Sequence, residues 1–290
     1  MTTIKWDKIR VLVTNKCNYR CPFCHNEGQS RDGQRDLMTF NSFKDLIDII
    51  SDEPISELNF SGGEPFLNPE IVQMIQYAND HLKCDISCAT NLSMITEKQI
   101  HELSGTRVKF NIQFPYVKKN EFAKSTGTGI LEKVISNIKL IKGVGLKIGL
   151  NSVIQSLDVE ATETMIKFSL ENELPLKLLP QIGLSGSGEF LKTITPIIEK
   201  YSVEFVNKKT GCLKWKLTDG MHQTVLLYIQ SPCFNNDIET CKNFGEIRVH
   251  PDLSLQSCML RDPGEQLCLE KGKEYVINQF AKLWNDFVEC

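Results

Sequence analysis

Short apolar runs alternate with amphipathic stretches from residue 9 to residue 201. Residues 9–14 (Ile-Arg-Val-Leu-Val-Thr) form an apolar run of the kind a buried parallel strand requires. Phe43, Leu46, Ile47 and Ile50 then fall at i, i+3, i+4 and i+7, which places them on one helical face. A second strand is predicted at 57–61, followed by a helix capped by Asn68, with Pro69 at its first position and Ile71, Met74, Ile75 and Ala78 as its stripe. Residues 84–90 give a third strand, and Thr96-Glu-Lys-Gln99 is a capping box that opens another helix. A fourth strand spans 107–114, and Leu131, Val134, Ile135 and Ile138 form a helical face that stops at Gly143 and Gly145. Residues 146–154 make the fifth strand, after which Asp158 caps a helix carrying Met165, Ile166 and Phe168. A sixth strand at 176–181 precedes a helix at 190–201, bent by Pro196.

Six strand–helix units in succession imply a parallel sheet with helices on its outer face. Reactive groups in such sheets gather beyond the carboxyl ends of the strands. After about residue 206 the alternation ends and cysteines return at 212, 233, 241, 258, 268 and 290. Residues 245–258 read as strand, turn and strand leading back to Cys258, a small hairpin suited to wrap a metal. The chain is therefore expected to divide into a barrel-type unit at 1–205 and a smaller α+β extension at 206–290.

The 290 residues are 41% hydrophobic and 24% charged, which fits a soluble globular protein. A net charge of −3 without a long Lys/Arg run argues against broad nucleic-acid binding. No apolar stretch is long enough to span a membrane, and the N-terminus lacks the apolar core of a signal peptide. Eleven cysteines in such a chain point to metal ligation in a reducing, cytoplasmic, low-oxygen setting rather than to a disulfide scaffold.

The candidate chemistry sits directly after the first strand. Cys17, Cys21 and Cys24 are spaced C-x3-C-x2-C. Three thiolates can hold three irons of a cubane cluster and leave the fourth iron open to a small molecule. Zinc fits less well, because its structural sites want four ligands in paired units. The loop resembles the signature of the radical S-adenosylmethionine (SAM) enzymes, and Glu57-Leu-Asn-Phe-Ser-Gly-Gly-Glu-Pro65 resembles their Gly-Gly-Glu-Pro turn. The resemblance implies a partial (β/α)6 TIM barrel in which Cys17, Cys21 and Cys24 ligate a [4Fe-4S] cluster whose open iron chelates SAM. Reductive cleavage of SAM would release a 5′-deoxyadenosyl radical that takes a hydrogen atom from the substrate. It also implies that Phe23 lies beside the adenine and that Gly62, Gly63 and Glu64 meet the methionyl amine. Asn91, Gln113, Ser125 and Asn151 fall where relatives place further SAM contacts, although local turns explain each equally well.

The C-terminal cysteines resemble the auxiliary-cluster extensions of twitch and SPASM type enzymes, and most closely those of the molybdenum-cofactor GTP 3′,8-cyclases. That likeness implies a second [4Fe-4S] cluster on Cys233, Cys241 and Cys258, with Cys212 or Cys268 as a candidate fourth ligand; a zinc hairpin is the alternative. It also implies substrate contacts from Arg10 and Arg248. Other cationic positions of the cyclases are replaced here by Glu57, Asn59 and Asn68, which disfavours a triphosphate substrate. The expected activity is hydrogen abstraction from a peptide, with a cyclase-like nucleotide or small-molecule reaction as the runner-up and an electron carrier or sensor as the third reading. Because the barrel starts by residue 9, no leader-binding domain is expected before it, and a standalone peptide-recognition protein is an expected partner. A flavodoxin- or ferredoxin-type donor is expected by resemblance.

Overall fold

A computed structural model describes residues 6–24, 37–183, 186, 189–208, 211–231, 233, 237–243 and 245–288. Its centre is a run of six parallel strands in sequence order: β1 (Lys8–Leu12), β2 (Glu57–Ser61), β3 (Asp85–Thr90), β4 (Lys109–Gln113), β5 (Lys147–Ile154) and β6 (Leu176–Pro180). The helices α1 (Phe40–Ile50), α2 (Ile71–His81), α3 (Glu97–Leu103), α4 (Lys119–Thr126), α5 (Leu131–Gly143), α6 (Val159–Glu171) and α7 (Phe190–Glu199) occupy the connections between and after these strands. Alternate strand residues such as Ile9, Val11, Leu58, Phe60, Ile112, Leu150 and Leu176 are buried, and with the helix stripes they form one apolar core. Side chains at the intervening positions, including Arg10, Asn59, Ser87, Gln113, Asn151 and Lys177, face the opposite, concave side of the sheet. That side is polar, so the sheet presents an interior able to take a ligand.

The sheet does not stop at six strands. Beyond β6 it continues through β9 (Gln223–Ile229), β8 (Cys212–Thr218) and β7 (Ser202–Asn207), and beyond β1 through β10 (Glu246–Val249) and β11 (Leu255–Gln256). The resulting eleven strands leave β11 and β7 as free ends, so the barrel is open, as a partial barrel requires. β10 pairs parallel with β1 and antiparallel with β11, which is the expected hairpin before Cys258. Two helices complete the described chain, α8 (Ile238–Lys242) and α9 (Lys273–Asp286). Phe280 of α9 meets Trp6 edge-on, with ring centroids 5.1 Å apart, tying the last helix to the entry of the first strand.

Several local expectations shift by a few residues. The Thr96 capping box and the Asp158 cap are present. Asn68 does not cap α2, whose N-cap is Glu70. Instead the Asn68 amide donates to the carbonyls of Val13 and Met38, both at 2.9 Å, while its Oδ1 accepts the Glu70 N–H. Its side chain thus holds three chain segments together, and the helix starts two residues later than Pro69 suggested. Cys84 lies just before β3 rather than on it.

Candidate functional site

The loop following β1 carries the three spaced cysteines. Cys17 and Cys21 are half-buried and Cys24 is exposed. Their thiols lie near enough to act on one another: burial first, then Cys17 and Cys24, pushes Cys21 up to about 12. Burial also raises Cys17, opposed by the Tyr19 N–H, which donates to its Sγ at 3.4 Å. Among the described residues no three Cys, His, Asp or Glu close around the position of one metal ion. A cubane gives each cysteine a separate iron, and three thiols that influence one another suit it.

Two turns clamp this loop from either side. The Gly63 N–H donates to Thr14 O at 2.8 Å and the Glu64 N–H to Lys16 O at 2.8 Å. The close approach explains both glycines. A Cβ on Gly62 would fall 2.3 Å from Thr14 O, and one on Gly63 would fall 2.0 Å from Lys16 O. Gly62 also has φ of +127°, which side chains rarely adopt. From the other side, the Arg20 N–H bonds Thr126 O at 2.9 Å, and the Thr128 hydroxyl bonds Asn18 O at 3.0 Å. Gly127, with φ of +80°, ends α4 there, so the turn containing Ser125 lies against the cysteine loop.

Glu64 is fully buried and joins the β2 and β3 turns. It accepts the Thr90 hydroxyl at 2.6 Å, the Asn91 N–H at 2.7 Å and the Phe66 N–H at 3.2 Å. Burial pushes its carboxyl up to about 7, and those three donors oppose the shift. Asn91 in turn donates to Asn18 at 2.8 Å and points the same amide at Cys17 Sγ, 4.0 Å away. Phe23, within the loop itself, is buried. Farther along the sheet, Gln113, Asn151 and Lys177 are register partners across β4, β5 and β6. Gln113 Nε2 is buried without a hydrogen-bond partner, the kind of orphan a bound ligand satisfies.

Arg10 and Arg248 are register partners on β1 and β10. Both are held by Glu246, at 3.0 Å from Arg10 and 2.7 Å from Arg248. Burial alone would raise Glu246, but the two guanidiniums hold its carboxyl down at about 2. This carboxylate was not singled out from sequence; its position two residues before Arg248, on the same strand face, was the available signal. The C-terminal cysteines are more dispersed. Cys241 lies in α8, Cys258 follows β11, Cys233 and Cys268 are half-buried, and Cys290 lies outside the described residues. Cys212 heads β8 beside Lys208, Lys177 and Lys214.

Comparison with known proteins agrees with this arrangement. The model of the Radical SAM superfamily matches residues 11–168, more than half of the chain. The GTP 3′,8-cyclase of Clostridium perfringens is 26% identical over 269 residues, covering 87% of this chain and 80% of that protein. A probable GTP 3′,8-cyclase of Saccharolobus solfataricus is 27% identical over 266 residues, covering 88% and 83%. Among solved structures, Streptococcus suis SuiB bound to precursor peptide SuiA superposes with a TM-score of 0.72 at 13% identity, over 96% of this chain and 66% of that one. SuiB bound to S-adenosylmethionine gives 0.71, and there the chain spans only 64% of the SuiB chain. Native anSMEcpe with bound AdoMet gives 0.62 at 16% identity, covering 88% and 74%. These last likenesses concern the fold. The family match, on a partial barrel whose cysteine loop is clamped by a Gly-Gly-Glu turn, makes the chain a member of the radical SAM superfamily.

Proposed function

We propose that this enzyme abstracts a hydrogen atom from a peptide substrate. When bound, the cluster and SAM supply reductive cleavage to a 5′-deoxyadenosyl radical; the chain's residues hold, orient and shield that chemistry. Cys17, Cys21 and Cys24 are assigned as the cluster ligands. The turn at 62–64 is assigned to the methionyl amine, with the Glu64 carboxylate bracing it through Thr90 and Asn91. Phe23 is assigned to the adenine, and Asn91, Gln113, Ser125 and Asn151 to further contacts with SAM. Cys233, Cys241 and Cys258 are assigned to a second cluster, with Cys212 or Cys268 completing it. A division between a core at 1–205 and a cluster-binding extension at 206–290 belongs to the same reading.

The observation that carries the substrate class is the sharing of Glu246 by Arg10 and Arg248. Two arginines on one carboxylate offer roughly one net positive charge, far short of what a triphosphate demands. Asn59 and Glu57, at other interior positions, are joined through Ser87 rather than replaced by cations. The likeness in fold to the peptide-bound SuiB chain supports the same choice. A cyclase-like nucleotide reaction is the second reading, favoured by relatives of that name along 87–88% of the chain.

Anaerobic reconstitution, followed by 5′-deoxyadenosine assay with dithionite, tests the proposal. Peptides encoded beside this protein's gene should raise 5′-deoxyadenosine release and change mass, and GTP should do neither. Cyclisation of GTP would overturn the peptide reading, and failure to cleave SAM at full iron loading would sink both enzyme readings.

A further inference from the structure

Lys177 is the one interior cation of the row Gln113, Asn151 and Lys177, and no hydrogen bond or ion pair satisfies its ammonium among the described residues. It is half-buried on the concave side of β6, flanked in register by Asn151 and Leu227. Its electrostatic neighbours are Lys109, Glu57, Arg10 and Cys212. Cys17, by contrast, feels Glu64, Cys24 and Arg20. Lys177 therefore belongs to the floor of the interior rather than to the cysteine loop.

An interior ammonium with no partner is costly. Burial, reinforced by Lys109 and Arg10, pulls its pKa down, and Glu57 only partly offsets this. Two other polar groups on the same side of the sheet, Gln113 Nε2 and Asn59 Oδ1, are buried without partners. Unsatisfied donors and acceptors gathered on one interior wall mark a place where a ligand completes the hydrogen bonding.

We propose that Lys177 anchors a carboxylate of the substrate inside the barrel. The inference rests on the peptide reading and deepens it, since the carboxylate is then an acidic side chain or a chain end of the peptide. Charge decides the class. Glu246 and Glu57 offset part of the charge of Arg10, Arg248, Lys177 and Lys109, and the small positive excess that is left suits one carboxylate better than a polyphosphate. An ammonium on a four-carbon stem can meet such a group from the floor without a fixed fork geometry. The carboxylate would also tether the substrate below the cysteine loop, leaving the next part of the chain to reach the strand ends where the reaction occurs.

The test is anaerobic calorimetric titration of the whole chain with N-acetyl-L-glutamate, N-acetyl-L-glutaminamide (a glutamine analogue without any carboxylate) and inorganic triphosphate. The acetylglutamate should bind to the wild type, weaken at least about tenfold in Lys177→Met and recover in Lys177→Arg. The glutamine analogue should not bind. Thermal unfolding without ligand shows whether each variant is folded, and Lys177→Arg carries the comparison if Lys177→Met is not. Equal affinity of wild type and Lys177→Met for acetylglutamate overturns the proposal, as does absence of binding to the wild type. A preference for triphosphate, or equal binding of the glutamine analogue, overturns the assignment of a carboxylate. Peptides that fail to react while Lys177-dependent binding persists would sink the peptide reading and leave the anchor standing.

Discussion

Glu64 accepts the backbone N–H of Asn91 at 2.7 Å, so a carboxylate from the second strand's turn holds the third strand's turn in place. Glu64→Ala removes the acceptor for that N–H and for the Thr90 hydroxyl inside a fully buried site. Leaving such donors unmade costs about 1–3 kcal/mol. The urea midpoint of the metal-free protein should fall accordingly, and Glu64→Gln, which keeps an acceptor oxygen, should recover part of the loss. An unchanged midpoint in Glu64→Ala would show that the two turns hold together without it.

Gly63 has a more local task. A methyl group there would sit 2.0 Å from the Lys16 carbonyl, inside any real contact, so the loop bearing Cys17 has to move away. Gly63→Ala should reduce iron uptake on reconstitution and with it 5′-deoxyadenosine release, while the far-UV spectrum stays that of a folded protein. Gly105, whose Cβ would meet nothing, is the control, although its positive φ means that Gly105→Ala costs some stability by itself.

The Arg10–Glu246–Arg248 group links stability to acid. The folded carboxyl titrates at about 2, below its ordinary 4.5, because two guanidiniums face it. A depressed acid contributes stability above 4.5 and loses it as the pH falls toward 2. Wild-type protein should therefore lose resistance to urea through that window. Glu246→Gln should be less stable at neutral pH and show a flatter dependence below 4.5. Parallel acid curves for the two proteins would contradict the assignment.

The C-terminal cysteines make an independent claim. If they hold a second cluster, reconstituted wild type carries about eight irons and Cys258→Ala about four. Cys17→Ala should lose the other four and all SAM cleavage. Zinc in the wild-type protein, abolished by Cys258→Ala, would replace the second cluster with a structural hairpin site.

Much of the barrel was legible because each of its strands is buried on one face by helices with their own stripes. The apolar run at 9–14 and the Phe43, Leu46, Ile47, Ile50 spacing became β1 and α1 for that reason. The ribbon β7–β8–β9 was not foreseen. β7 is exposed along most of its length, with Val203 and Phe205 in solvent, so burial imposes no pattern on it. Leu213-Lys-Trp-Lys-Leu217 does alternate, and its strand could have been found. The same holds for α9, where Val276, Phe280 and Trp284 recur every fourth residue. The cysteine loop and the Gly-Gly-Glu turn were readable as motifs, since their spacing is local. The joining of Arg10 to Glu246 was not, because 236 positions separate them and only the closing of β10 on β1 brings them together.

That pairing sets an order of events for the growing chain. β1, whose end carries Cys17, gains β2 as a neighbour early, but its other edge stays open until residues 246–249 have been made. Contacts over such separations form slowly and late. The strand that leads into the cluster loop is thus paired along only one edge while most of the protein is being synthesised. Metal delivery to a nascent chain would meet an unfinished cradle, and maturation after release from the ribosome becomes the natural route.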